Sequence, residues 1–187
     1  VANEKEKSQV IYETLRPLAQ CSLIQMQMIP TGMLDQAARD LRSQDMYLLG
    51  ATLEALIIVS RSNMAITRAL CTRGAAVHIG RFLETVLLKL NIQVVPRLVH
   101  LATAAMGLLL HLVLDSSGRS YMVEQTALRS TLKKYMKVEA PAMQANANKL
   151  FALLAFPAAP DSSSLPTGQF PERVAAFVAE MPSPALP

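Results

Sequence analysis

A chain of 187 residues can bury one sizeable core or a short array of repeats, and it is too short for two full domains. Its apolar content is 51%, with no Trp, five Phe and four Tyr, and its formal net charge is +4. The aliphatic residues and Ala that dominate favour helices over strands, because most of them keep their rotamer freedom on a helix. Seven Gly residues are too few for the turns of an all-β fold, so the composition predicts an all-α protein.

The apolar residues recur with a helical period along most of the chain, and Pro, Gly and polar residues divide it into helices. Pro17 interrupts the first helical zone. Residues 45–60 are apolar on nearly all sides, which predicts a helix packed between others. Residues 60–74 and 115–125 are predicted to be loops with short helical turns. The predicted helices cover residues 5–28, 33–42, 45–60, 75–91, 98–114, 126–137 and 140–156.

An internal repeat is visible when Gly32 is aligned with Gly74, which pairs GMLDQAARDL with GAAVHIGRFL. A third copy, QTALRSTLKKYM, occupies the equivalent place after the next long helix. Each copy follows an apolar helix, a polar break and a short turn. No single unit can bury its own two-faced helix, so neighbouring units must stack. Gly at the step permits a sharp turn, through positive φ or through close packing.

The stretch from Ala55 to Leu83 resembles the armadillo family of helical repeats. In that pattern a long second helix ends near a small polar residue, an Asn follows, and a Gly-Ala step opens the third helix. The matching residues are Ser60, Asn63, Gly74 and Ala75. In the third copy Gln125 and Thr126 replace the Gly step, and HEAT repeats share the periodicity. The resemblance implies a right-handed superhelical array of about three to four repeats, used as a binding scaffold whose third helices line a concave groove.

These patterns divide the chain into three parts. Residues 1–156 are predicted to form the armadillo-like repeat domain. Residues 157–170 are rich in Pro and Ser, which is typical of a linker. Residues 171–187 are predicted to form a short amphipathic helix and a frayed tail; the helix either docks on the array or acts as a detachable peptide.

The compartment is predicted from the cysteines and from the first residues. Cys21 and Cys71 form no CxxC pattern, so we expect two buried free thiols and an intracellular protein, cytoplasmic or nuclear. The chain begins with VANEKEKSQ, which suggests a segment of a longer protein without a secretion signal. Residues 98–114 carry no formal charge, but we interpret them as a buried helix because they include two His and are short for a membrane span.

Catalytic and metal-binding patterns are weak, and the protein is predicted not to be an enzyme. Cys71 and His78 are close in sequence, but Gly74 separates them and no third residue suggests itself to orient the His. His100 and His111 lie on one side of the same helix, about 16 Å apart along its axis, which is too far for a shared metal. We therefore expect no cofactor and no metal.

Positive charge is concentrated in residues 61–137, which contain eleven Lys or Arg and only three Asp or Glu. Several of these residues fall on predicted third helices and would form a basic ladder if those helices line a groove. The candidate partner-binding residues are Arg39, Arg42, Arg81, Arg129, Lys133, Lys134 and Lys137. A solvated outer face is the simpler interpretation of the same charges.

The function that the sequence favours is a scaffold that binds another protein through an acidic or phosphorylated segment. Ten Met residues suit an adaptable surface of this kind, although they are more often core fillers. A nucleic-acid-binding solenoid is an alternative, but few aromatic residues accompany the basic patch. The same pattern also permits a structural segment of a larger complex, and self-association through uncapped repeat ends.

Overall fold

The computed structural model describes residues 6–7, 9–14, 21–90 and 95–155. These residues form helices joined by short turns, without a strand, which confirms the all-α prediction. Residues 9–14 are helical. Pro17, the predicted linker at 157–170 and the predicted helix at 171–187 lie outside the described residues. Within the described part, the helices with defined ends are α1 (Ser22–Met28), α2 (Met33–Asp40), α3 (Met46–Ser62), α4 (Met64–Thr72), α5 (Ala75–Leu90), α6 (Pro96–Leu112), α7 (Ser116–Glu124), α8 (Thr126–Tyr135) and α9 (Pro141–Ala155).

Two short helices, α4 and α7, occupy segments that the sequence pattern predicts as loops with a helical turn. The side chain of Asn63 accepts hydrogen bonds from the N–H groups of Ala65 and Ile66, at 3.0 and 3.3 Å. Asp115 caps α7 in the same way, accepting from Ser117 N at 3.2 Å. Such caps satisfy amide groups that the start of a helix leaves unpaired. The loop predictions are therefore wrong in extent, because each polar break starts a nine-residue helix.

Gly32 and Gly74 form the turns into α2 and α5. Both have a φ of 73°, in the left-handed region that Gly adopts with little strain. The carbonyl of each accepts hydrogen bonds from the N–H groups three and four residues ahead. The shared geometry supports the alignment of these two segments and confirms that Gly permits the turn through positive φ. α8 begins differently, since Gln125 before it has a φ of −81°.

In chain order the described helices can be grouped as α3 to α5, α6 to α8, and α9. Helices at the same place in these groups pack together: α3 on α6, α6 on α9, α4 on α7 and α5 on α8. This stacking covers helices that are apolar on more than one side, as a repeat array requires. The stacking also buries the apolar residues that recur with a helical period along α5, which are Ile79, Leu83, Val86, Leu87 and Leu90.

α5 and α8 form a closed interface. Leu128 of α8 is buried, and its Cδ1 would lie 3.9 Å from a Cβ placed on Gly80 of α5. Tyr135, at the end of α8, is fully buried and donates its hydroxyl to the carbonyl oxygen of Leu83 at 2.6 Å. Apolar packing and one buried hydrogen bond thus fill the space between these two helices.

The two cysteines are free and lie in different environments. Cys71 of α4 is half-buried, and a Cβ on Gly118 of α7 would lie only 2.5 Å from its Sγ, so a side chain there would clash. Cys21 is exposed at the start of α1. The prediction that both thiols are buried is therefore wrong for Cys21, because this residue precedes the helix instead of lying on its packed face.

Candidate functional site

An open groove runs along one side of α5, between this helix and the turn that joins α2 to α3. Its volume is about 670 Å³. The groove is lined by the turn after α2 and by α3 on one side and by α5 on the other. Its lining residues are Leu41, Arg42, Ser43, Gln44, Met46, Leu49, His78, Arg81, Phe82, Thr85, Val86 and Lys89.

The charged side chains of the groove are all positive. Arg42, Arg81 and Lys89 line it and are exposed to solvent. Among the described lining residues there is no Asp or Glu to balance them. Arg81 and Lys89 are eight positions apart on α5, which places their backbones about 12 Å apart along the helix axis. An extended segment that reaches both would span about four residues.

The floor of the groove between these charges is apolar. Phe82 and Val86 lie on α5 between Arg81 and Lys89 in sequence, and Met46 and Leu49 of α3 face them across the groove. Leu49 and Val86 are buried, whereas Met46 and Phe82 are partly exposed. The groove therefore combines apolar contact area with positive charge at its edges, a combination that suits an amphipathic ligand.

His78 is linked to Arg42 within the groove. Arg42 Nε donates a hydrogen bond to His78 Nε2 at 3.0 Å. Because an arginine side chain can only donate, Nε2 must be unprotonated, and the imidazole proton lies on Nδ1. Burial, together with the positive charges of Arg42 and Arg81, lowers the pKa of His78 below its ordinary value. His78 is therefore neutral at pH 7 in the free protein.

Two basic side chains of α8, Arg129 and Lys133, have partners on α9. Arg129 Nη2 donates to the carbonyl oxygen of Leu154 at 3.0 Å, near the C-terminal end of α9. Lys133 Nζ lies 5.5 Å from the centre of the Phe151 ring, in a cation–π arrangement. A cation at the C-terminal end of a helix donates hydrogen bonds to the unpaired carbonyl groups there and interacts favourably with the helix dipole. These two predicted binding residues thus contribute to helix packing.

The remaining predicted residues are divided between the groove and other surfaces. Arg39 donates to the side-chain oxygen of Gln36 at 2.7 and 3.2 Å and does not line the groove. Lys134 and Lys137 are exposed on and just after α8, also away from it. Of the seven predicted residues, the groove beside α5 brings together Arg42 and Arg81.

Other basic residues of the middle region form ion pairs. Arg68 Nε lies 3.3 Å from Asp115, whose side chain is 2% exposed. Burial acts to raise the pKa of Asp115, but hydrogen bonds from Ser117 and Arg68 hold it below its usual value. Arg73 donates to both oxygens of Asp35, at 2.8 and 3.3 Å. Much of the positive charge counted in the sequence therefore serves the fold.

Lys89 and Phe82 are groove residues that the sequence pattern does not single out. Lys89 follows Arg81 by eight positions, which is two helical turns and an offset of about 80°, so the two lie on neighbouring sides of the helix and can border one groove. This spacing could have identified Lys89. Phe82 has no such signal, because its exposure depends on the distance between α5 and the α2–α3 turn.

The residues considered for chemistry have other contacts. Cys71 donates its thiol to the carbonyl oxygen of Leu112, with sulfur and oxygen 3.8 Å apart. Burial and then the charge of Asp115 raise the pKa of Cys71 to about 11, so the thiol is protonated at neutral pH. His100 lies 3.4 Å from Glu54. Burial and then Arg61 lower the pKa of His111.

In the described ranges no cluster of three or more His, Cys, Asp or Glu could hold a metal ion. None of the described helices is long and apolar enough to cross a membrane. Comparisons of the chain with models of known protein families, with curated proteins and with solved structures found no match.

Proposed function

We propose that this chain is a non-enzymatic, armadillo-like repeat scaffold that binds an acidic or phosphorylated segment of another protein in the groove beside α5. The packing of α3 on α6, of α4 on α7 and of α5 on α8 supports the repeat assignment. Third helices line the concave groove of the armadillo family, which residues 55–83 resemble, and α2 and α5 hold that position in the predicted repeats.

The observation that carries this proposal is the unbalanced charge of the groove. Arg42, Arg81 and Lys89 line it, without a carboxylate among the described lining residues. Cations gathered in a concave surface attract anionic ligands, and the low-dielectric walls strengthen the attraction. Arg68 and Arg73, by contrast, lie outside the groove and are paired with Asp115 and Asp35.

A protein segment suits the groove better than nucleic acid does. Among the described lining residues, Phe82 is the aromatic one, whereas single-stranded nucleic acid is commonly held by stacking on several aromatic rings. Met46, Leu49 and Val86 instead offer aliphatic contacts to an apolar anchor of a peptide. An extended segment would place one acidic group near Arg81 and a second one about four residues later near Lys89.

A fluorescent peptide array tests this proposal. Its peptides carry two glutamates at varied spacing with a leucine between them, and a single-stranded DNA of similar charge is the competing probe. We expect the tightest binding at a spacing of about four residues, with affinity falling as salt is raised. Combined Arg81→Glu and Lys89→Glu substitutions should weaken binding by about tenfold or more.

Lys134→Glu is the matched control, because Lys134 is an exposed lysine on the equivalent helix α8 and lies outside the groove. Its affinity for the peptides should stay within about twofold of the unsubstituted protein. An equal loss in both variants would contradict the groove as the binding site. Tighter binding of the DNA, or no binding by any peptide, would contradict a protein segment as the ligand.

A further inference from the structure

Arg42, His78 and Arg81 converge at one end of the groove. Arg42 reaches across from the segment after α2 and donates to His78 Nε2 at 3.0 Å. Arg81 is three positions after His78 on α5 and lies close enough to lower its pKa. One guanidinium group therefore contacts the neutral imidazole and a second lines the same groove three positions along α5, and the described lining residues supply no carboxylate to offset them.

A phosphate monoester matches this cluster better than a carboxylate does. It carries nearly two negative charges at neutral pH and has three oxygens that accept hydrogen bonds in different directions. Each guanidinium can donate two parallel hydrogen bonds to such a group. A carboxylate has one charge and two oxygens in a plane, so it cannot engage both arginines and the imidazole equally well.

On this basis, and resting on the proposed function of the groove, we propose that Arg42, His78 and Arg81 bind the phosphate of a phosphorylated partner side chain, with His78 taking up one proton as the phosphate binds. The proton comes from solution and goes to Nε2. The Arg42 Nε–H group then donates to a phosphate oxygen instead of to His78, and the imidazolium donates to another.

The charges around His78 give the direction of this proton uptake. Arg42 and Arg81 disfavour an imidazolium in the free protein. Across the groove α3 presents Met46 and Leu49, which are uncharged, and Asp35 of α2 is held by Arg73. A bound dianion reverses the local field, so it favours the imidazolium that the two arginines oppose.

For a ligand that stays a dianion over the whole pH range, such as sulfate, binding must therefore depend on pH in one direction. The pKa of His78 is higher in the complex than in the free protein, so the complex holds the extra proton over the interval between the two values. Affinity is highest below the free value, falls as pH rises through the interval, and levels off above the pKa of the complex. The total change is about tenfold for each unit that separates the two pKa values.

The three histidines of the chain make this measurable by NMR. The imidazole signals are followed through a pH titration in saturating inorganic phosphate, in sulfate, and in chloride at equal ionic strength. Sulfate stays a dianion across the range, so it isolates the proton taken up by the protein. We expect the pKa of His78 to rise by about one unit in phosphate and in sulfate relative to chloride, with His100 and His111 unchanged. A shift at His78 no larger than theirs would overturn the proposal.

Three variants separate the roles within the cluster. Arg42→Gln and Arg81→Gln should each lower phosphate affinity by about fivefold or more, because each removes a charged donor. Arg61→Gln, an exposed arginine at the end of α3, is the control and should have no effect. His78→Gln keeps a neutral acceptor for Arg42, so it should bind sulfate as the unsubstituted protein does at about pH 8 and lose the pH dependence of sulfate binding. Persistence of that dependence in His78→Gln would also overturn the proposal.

Failure of this inference can be told from failure of the groove proposal. A phosphoserine peptide is compared with the same peptide carrying glutamate in place of phosphoserine. If both bind equally, Arg81→Glu weakens both, and His78 does not respond to sulfate, the groove proposal stands and the phosphate site is wrong. If neither peptide binds, both are wrong.

Discussion

α5 has α8 on one side and the turn after α2 on the other, and the first side is closed whereas the second is open. Toward α8, Leu128 packs beside Gly80, and buried Tyr135 donates to the Leu83 carbonyl. Toward α2, the hydrogen bond from Arg42 to His78 spans a groove of about 670 Å³. One helix can thus have a packed side and an open side, depending on whether large apolar side chains fill the gap.

The same contrast applies to charge. Arg129 and Lys133 of α8 contact the carbonyl of Leu154 and the ring of Phe151, whereas Arg81 of α5 lines the open groove. In the sequence, Arg81, Arg129 and Lys133 have the same pattern, because each is a basic residue on a predicted third helix. Their neighbours, contributed by α9 in one case and by the α2–α3 turn in the other, decide whether the charge stabilises the fold or remains available to a ligand.

The largest effect on stability should come from removing a buried side chain from the interface between α5 and α8. Leu128→Ala should lower the free energy of unfolding by about 2–5 kcal/mol, because Leu128 is 3% exposed and its removal leaves a cavity. Leu88→Ala is the control on α5, where the side chain is 68% exposed, and should change stability by less than about 0.5 kcal/mol. Urea unfolding measures both. A loss below about 1 kcal/mol for Leu128→Ala would show that this interface is not tightly packed.

The next effect concerns the turns that open α2 and α5. Gly74→Ala should destabilise the protein by about 1–2 kcal/mol, since a φ of 73° strains any residue with a Cβ. The nearest side-chain atom to a new Cβ would be Val77 Cγ2 at 3.7 Å, so strain and not a clash is the cause. Gly32→Ala should show a similar loss in the same unfolding experiment. Clearly unequal losses of unfolding free energy in the two variants would show that the two turns are not equivalent.

A smaller effect is expected from the buried hydrogen bond on the closed side. Tyr135→Phe keeps the ring and removes the hydroxyl that donates to the Leu83 carbonyl at 2.6 Å. The loss should be about 1 kcal/mol in thermal or urea unfolding, with the slope of the urea transition unchanged. An unchanged midpoint would indicate that the hydrogen bond contributes nothing net.

The smallest effect distinguishes two arginines that look equivalent in the sequence. Arg129→Ala should cost about 0.5–1.5 kcal/mol, because it removes a donor to the C-terminal carbonyls of α9. Arg81→Ala should leave the unfolding free energy within about 0.5 kcal/mol. If Arg81→Ala proved the more destabilising, Arg81 would have a structural role and the contrast between α5 and α8 would not hold.

Much of the fold follows from local sequence, and much of the site does not. The helical period fixes the buried stripe of α5, and the alignment of Gly32 with Gly74 finds two turns with the same φ. α4 and α7 are longer than the pattern predicts. Asn and Asp are common in loops, and the sequence does not show that Asn63 and Asp115 accept hydrogen bonds from the N–H groups that follow them and so start a helix. The third-helix pattern locates Arg42 and Arg81 but not their separation from Arg129, since the Leu154 carbonyl that Arg129 contacts is distant in sequence.

The most direct test of the groove is chemical-shift mapping of the ¹⁵N-labelled protein with the glutamate peptide that binds best. We expect the largest perturbations at the amides of residues 41–49 and 78–89, and small changes at 126–137, where the basic side chains of α8 lie. The dissociation constant fitted to the side-chain signals of Arg81 should equal the one fitted to the amide signals. Perturbations concentrated at residues 126–137, or spread without a centre, would contradict the groove beside α5 as the binding surface.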